Sequence, residues 1–447
     1  MALNFGNIEP WASITRVNLA TDGTVNATYG GGGYTEDGTN GRVMVRIPKF
    51  WYKAEKVGAT YKWWASGTSK TGFSVHPAFY QRATSTPADY IYIGAYEADL
   101  VPDAGGSHTL HSRSGKQPIT GGVIYEVVFD VGTNEPSIGD LVDTAGGDEW
   151  VLLGYEVTGG SWGSNDAVGK LWISKVGDDN PGWSNDETIT NESESSETLA
   201  TVNGAVSSTI HFDIEEARTY AGAVGADWGL INIHSLEALT LLWMIEYGNL
   251  DSQTELGRGI VDKPGGTGFD GNLTAADNIN DNLNAALTGA GDDGLAGEDD
   301  DGDVGICWRG IENLWGNVWT FVDGYEAIDA EYRILKADGS WSTIGPPNWS
   351  SSDYDTTNAA PITADGWISD LVWEDGFKHL LLASAVSGSD STYIPDYWYA
   401  HDPEENNIVL SGGRWSSASP AGLAYRDSKD DVASSFRDIG ARIEYIG

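Results

Sequence analysis

Short runs rich in Val, Ile, Thr, Tyr and Trp, each cut after a few residues by Gly, Asp, Asn or Ser, limit what this chain can become. β-Branched and aromatic side chains suit a pleated, half-buried surface, and small polar residues or glycine suit the turns between strands. Examples are Arg42-Val-Met-Val-Arg-Ile47, Asp89-Tyr-Ile-Tyr-Ile-Gly94, Glu149-Trp-Val-Leu-Leu-Gly154 and Lys170-Leu-Trp-Ile-Ser174. With 58 Gly and 19 Trp in 447 residues, the pattern predicts a β-rich bulk. Helical periodicity stands out in two places. Asp213 with Glu216 forms a capping box ahead of the stripe Ile214, Ala217, Ala221 and Val224, with Gly225 as the stop. A second stripe begins near Ser235, carries Leu236, Leu239, Leu242, Trp243 and Ile245, and stops at Gly248.

Charge narrows the partners. The chain has 66 acidic against 25 basic side chains, a formal net charge of −41, so it repels phosphate backbones and anionic membranes; neither nucleic-acid binding nor membrane insertion is expected. A hydrophobic content of 40% supplies real cores and excludes wholesale disorder. No apolar run approaches the ~20 residues of a membrane span, and residues 1–50 lack the basic and apolar regions of a secretion signal. Cys307 is the single cysteine, which forbids an intrachain disulfide or a CxxC motif. Such acidity fits a saline habitat, where a Debye length of about 3 Å near 1 M salt screens the self-repulsion.

The length predicts two or three domains. Residues 120–204 read as five or six short strands without a helical stripe, an inserted all-β domain ending in the polar run Asn191-Glu-Ser-Glu-Ser-Ser-Glu197, which reads as loop or linker. The expected organisation is an N-terminal attachment segment 1–29, a first domain part 30–119, the insert 120–204 and a second domain part 205–447. The acidic stretch from Asp292 to Asp303 fails the EF-hand pattern, with Val304 where the turn glycine should stand, and reads as a solvated loop. No cofactor is expected; weak structural Ca or Mg binding is left open.

Gly310-Ile-Glu-Asn-Leu-Trp-Gly-Asn-Val-Trp319, followed by Thr320-Phe-Val-Asp-Gly324, resembles a segment shared by formylglycine-generating enzymes and the variable proteins of diversity-generating retroelements. Ser411-Gly-Gly-Arg-Trp-Ser-Ser417, Ser419-Pro-Ala-Gly422 and Asp438-Ile-Gly-Ala-Arg-Ile443 resemble the frame that ends those variable proteins and the related phage receptor-binding proteins of the major tropism determinant kind. Shorter matches include Ile47-Pro-Lys-Phe-Trp-Tyr52, Gly72-Phe-Ser-Val-His-Pro-Ala-Phe79 and Tyr393-Ile-Pro-Asp-Tyr397. The resemblance implies an α+β fold class, a C-type-lectin-like (formylglycine-generating-enzyme-like) domain interrupted by the all-β insert. It does not carry over the enzyme, whose copper site needs two cysteines.

The resemblance also implies a division of the C-terminus. Gly412, Gly413, Trp415, Gly422, Ile439, Gly440 and Arg442 would be frame. Ser416, Ser417, Ser419, Leu423, Tyr425, Asp427, Ser428, Asp430, Asp431, Ser434 and Ser435 would form an outward ligand-display face within 411–443. Tyr and Ser are what adaptable binding surfaces use, although an ordinary polar loop closing a domain remains the alternative. Trp315 and Trp319 read as core. His76, His108, His111, His211, His234 and His401 are scattered without metal spacing, and His108 and His111 read as exposed loop residues. No catalytic or metal site is expected.

The function expected is that of a viral receptor-binding or tail-fibre protein, from a tailed phage or an archaeal virus, recognising a host-surface glycan or glycoprotein. It would be a homotrimer, made in the host cytoplasm and assembled into the virion with other tail or capsid proteins. The alternative is a structural decoration or baseplate protein without receptor binding. An oxygen-dependent or glycan-cleaving enzyme is the third reading.

Overall fold

The computed structural model describes residues 4–447 apart from 81–85, 104–106, 115, 117, 122, 139, 145–149, 175–180, 263–304, 329–330, 341–350, 402–406 and 437. The acidic stretch 292–303 lies outside the described residues. Among the described residues strands hold 38% and helices, 3-10 turns included, 13%, with three α-helices. The chain is mostly β, which corrects the expected α+β class, and the C-type-lectin-like architecture is not borne out. The physical reason is the extent of turn-punctuated β-branched and aromatic runs: the helical signal fills only short stretches between strands, so each helix packs singly into a β framework.

Two large sheets share one hydrophobic core. In the first, six antiparallel strands run in the order Trp228–Leu230, Ile443–Tyr445, Tyr90–Gly94, Arg42–Pro48, Thr15–Leu19 and Val25–Thr28. The C-terminal strand therefore lies inside a sheet whose far edge comes from the N-terminal segment, and both chain ends belong to this body. The second sheet runs Tyr354–Thr356, Glu331–Leu335, Trp319–Ile328, Asn407–Ser411, Arg426–Asp427, Tyr397–Tyr399 and Gly366–Trp367, with Ile439–Gly440 pairing in parallel with the start of Trp319–Ile328.

Helix α1 (Ile214–Gly222) starts at Asp213, whose carboxylate accepts from the amides of Glu215 and Glu216, and ends ahead of the expected Gly225. Helix α2 (Ile233–Tyr247) is capped by Asn232 and closed by Gly248 in the left-handed region at φ 67°. Residues 233–244 are all buried, so α2 is enclosed on every side and packs against the Trp319–Ile328 strand and the hairpin of Trp51–Val57 and Thr60–Ser66. A short third helix, α3 (Ser252–Leu256), went unread in the sequence.

Residues 123–211 contribute seven strands that pair only with one another. Val123–Gly132 pairs with Ala167–Ser174 as well as with Glu197–Val202, which closes six strands into a barrel, while Ser207–His211 adds at one edge. Its interior is a hydrophobic cluster of its own, with Val127, Phe129, Trp150, Leu152, Trp162 and Ile189. The Ser/Glu run 191–197 is the connection between Thr188–Asn191 and Glu197–Val202, a turn within the barrel. Trp172 faces the other way, into the main core, where its ring meets His108 at 5.6 Å.

Candidate functional site

A cavity of 400 Å³ opens in the second sheet, at the C-terminal end of the chain. Its floor is set from below. Arg426 is fully buried and donates to Glu237 of α2 at 3.0 Å, to Ser411 Oγ at 2.9 Å and to the carbonyls of Leu423 and Tyr425 at 2.8 and 3.1 Å. One guanidinium thus ties the segment before the Arg426–Asp427 strand to the core helix. Asp396, its carboxyl pushed up to about 8 by burial, accepts from the Ala424 amide at 2.6 Å. Gly422 has to be glycine, since a Cβ there would collide with the Asp396 carboxylate, and Gly413, at φ 90°, leaves room for the Tyr425 ring.

Aromatic rings form the walls. Trp319 and Tyr425 stand 4.5 Å apart, and Tyr425 and Tyr399 5.9 Å apart. The row continues beyond the cavity through Tyr397, 5.2 Å from Tyr399, to Trp367, 5.5 Å further. Tyr397 and Tyr399 are two apart on one strand and share a face, while Trp398 between them points into the core. Exposed Phe436 and the ion pair of Arg414 with Asp438 line the opening. Asp427 and Asp430 supply the remaining charge. Burial, then the neighbouring Asp430, pushes the Asp427 carboxyl up to about 7. Burial raises Asp430 as well, against a hydrogen bond from Ser434.

Of the eleven display residues, Ser416, Ser417, Tyr425, Asp427 and Asp430 line this cavity. Ser419 is exposed elsewhere, and Asp431, Ser434 and Ser435 are half-buried, with Asp431 accepting from the Ala433 amide and Ser435 donating to the Phe212 carbonyl. Outward display is corrected for Leu423, Tyr425 and Ser428, which are buried. Leu423 packs in the core, with its amide on Ser252, and Ser428 accepts from the Trp398 indole and donates to the Tyr399 carbonyl. The reason is that this segment is threaded between Asn407–Ser411 and Tyr397–Tyr399 as an interior strand, so part of it must face inward. All seven frame residues are buried. Trp319, read as core alone, also lines the cavity, and Tyr399 and Arg426 were missed. The one sequence sign for Arg426 is a basic residue between Tyr425 and Asp427 in an otherwise acidic and polar run.

The histidines are not all scattered. His76, His234 and His379 meet in the core, with His234 Nδ1 3.0 Å from His379 Nε2 and the rings of His76 and His379 5.4 Å apart. The Leu335 carbonyl lies 2.8 Å from His234 Nε2 and accepts its proton, so in the neutral ring that burial favours Nδ1 accepts from His379. Burial holds all three well below the ordinary histidine range. His108 is also buried, and His111 is half-buried on the Thr109–His111 strand, against the exposed loop expected for both. Among the described residues no group of three or more His, Cys, Asp or Glu has the geometry to hold a metal ion, and no helix is long and apolar enough to cross a membrane.

No family model and no curated protein matches this chain. Among solved structures it has a slight likeness to one titled Major Tropism Determinant P3c Variant, at 11% identity and a TM-score of 0.22, over 85% of this chain and 90% of that one. Nothing in these matches supports the resemblance to formylglycine-generating enzymes.

Proposed function

We propose that this chain is a virion-borne attachment protein that engages a host-surface glycan or glycoprotein through the C-terminal cavity. The observation that carries this reading is the cavity wall, where the rings of Trp319, Tyr399 and Tyr425 and the carboxyl groups of Asp427 and Asp430 share one space above a floor clamped by Arg426. Aromatic faces take the apolar faces of sugars or side chains, and carboxylates accept their hydroxyl or amine hydrogens. The motif resemblance of the 411–443 frame supports the same role. Binding without catalysis, homotrimer assembly, virion partners and synthesis in the host cytoplasm belong to this proposal; three copies of a weak site gain avidity from multiplication. Labelled protein is expected to bind a subset of host cells saturably, and Asp427→Asn/Asp430→Asn to lose that binding while melting no lower. Failure to bind any host cell, with the protein present in purified virions, would instead support a structural virion role.

A second reading, glycan cleavage, is favoured by the placement of Asp427 and Asp430 in one cavity, since a carboxyl pair is the minimal glycosidase constellation. Release of shorter products from a bound oligosaccharide would replace the binding reading with this one.

A further inference from the structure

The charge inside the cavity is unbalanced. Of its carboxylates, Asp438 is paired with Arg414. The Lys429 ammonium, next in sequence to the cavity residues, is 2.6 Å from Asp365 and lies 5.1 Å above the Tyr399 ring. Among the described residues no Lys or Arg makes an ion pair with Asp427 or Asp430. These two carboxylates repel one another beside the rings of Trp319, Tyr399 and Tyr425, whose negative faces attract cations. The surrounding chain, at a net charge of −41, adds a field of the same sign.

Resting on the attachment reading, we infer that the cavity selects an ammonium group carried on a sugar, an amino sugar with its nitrogen unacetylated. A cation between Asp427 and Asp430 removes their mutual repulsion and lies against ring faces, whereas a carboxylated or sulfated sugar meets two carboxyl groups whose charge Lys429 and Arg414 offset only in part. The amine sits on a sugar because the row of rings continues outward over Tyr397 and Trp367 at centroid steps of 5.2 and 5.5 Å, a surface on which further sugar residues of the same chain can stack.

The test measures affinity of the full chain for the glucosamine tetrasaccharide, its fully N-acetylated counterpart, an oligogalacturonate of equal length and a lysine-rich peptide. The free amine is expected to bind about tenfold more tightly than the acetylated sugar, and the oligogalacturonate not at all. In Asp427→Asn/Asp430→Asn the preference should vanish while the melting temperature does not fall; Asp355→Asn, exposed on the far edge strand of the sheet, serves as the control that keeps it. Equal binding of free and acetylated sugars, or a preference that survives the double substitution, overturns the inference. Equal preference for the lysine peptide overturns its sugar part. If cells are bound through the cavity and none of the amine probes is, the amine inference fails alone; if cells are not bound either, the attachment reading fails with it.

Discussion

The cavity and the histidine cluster are both places where burial drives side chains away from their ordinary protonation, and they differ in what else can reach them. Asp427 and Asp430 share a space open to solvent, so a ligand can supply the missing counter-charge. His76, His234 and His379 are closed in by Tyr52, Phe50 and the Leu335 carbonyl, and burial favours the neutral form of all three. A shifted titration marks a functional site only where there is access. In the closed cluster the same physics acts on stability alone.

The strongest way to break this contrast is beneath the cavity. Arg426→Met strands Glu237 in the core without its partner, and should cost about 3–5 kcal/mol in denaturant unfolding. Adding Glu237→Leu should recover the share due to the stranded carboxylate and no more, because Ser411 Oγ and the Leu423 and Tyr425 carbonyls still lack their donor.

The histidine cluster predicts the next effect. The three rings are neutral in the folded chain and bind protons near pH 6.5 when unfolded, so their contribution is full above that pH and is lost below it. Each group adds a slope of about 1.4 kcal/mol per pH unit below 6.5, and His379→Gln should remove one such share from a stability profile taken down to about pH 5. Asp427 runs the opposite way. Its folded carboxyl lies above the ordinary range, so its ionised form weakens the fold at neutral pH and that penalty fades as pH falls through about 7.

Within the cavity the expected changes are smaller. Asp427→Asn should raise stability by about 0.5–1 kcal/mol, by ending the repulsion from Asp430, while lowering attachment. Tyr425→Ala is expected to lower the melting temperature as well as attachment, since Tyr425 is buried between Trp319 and Tyr399; Tyr425→Phe is the variant that keeps the wall. The smallest effect per group belongs to the surface. Raising salt from millimolar to about 1 M should increase the melting temperature by screening the net charge of −41, and a melting temperature indifferent to salt would remove the saline-habitat reading.

What the sequence determined by itself were the local choices. Asp213 as a helix start and Gly248 as a helix stop follow from backbone groups that neighbouring residues satisfy, and the strands at Arg42–Pro48 and Tyr90–Gly94 follow from side chains one or two positions apart. The β-rich bulk was legible for the same reason. Only the tertiary structure decided which polar residues share a space. His76, His234 and His379 are brought together from a short 3-10 helix cap, α2 and a loop, and Asp427 meets Trp319 because Asn407–Ser411 pairs with the Arg426–Asp427 strand on one side and with Trp319–Ile328 on the other. The display segment was read as one outward face, yet strand pairing turned Leu423 and Ser428 inward and left Asp427 and Asp430 at the cavity. Which way a side chain points in a strand is fixed by the register with its partners, and that register is a property of the folded sheet.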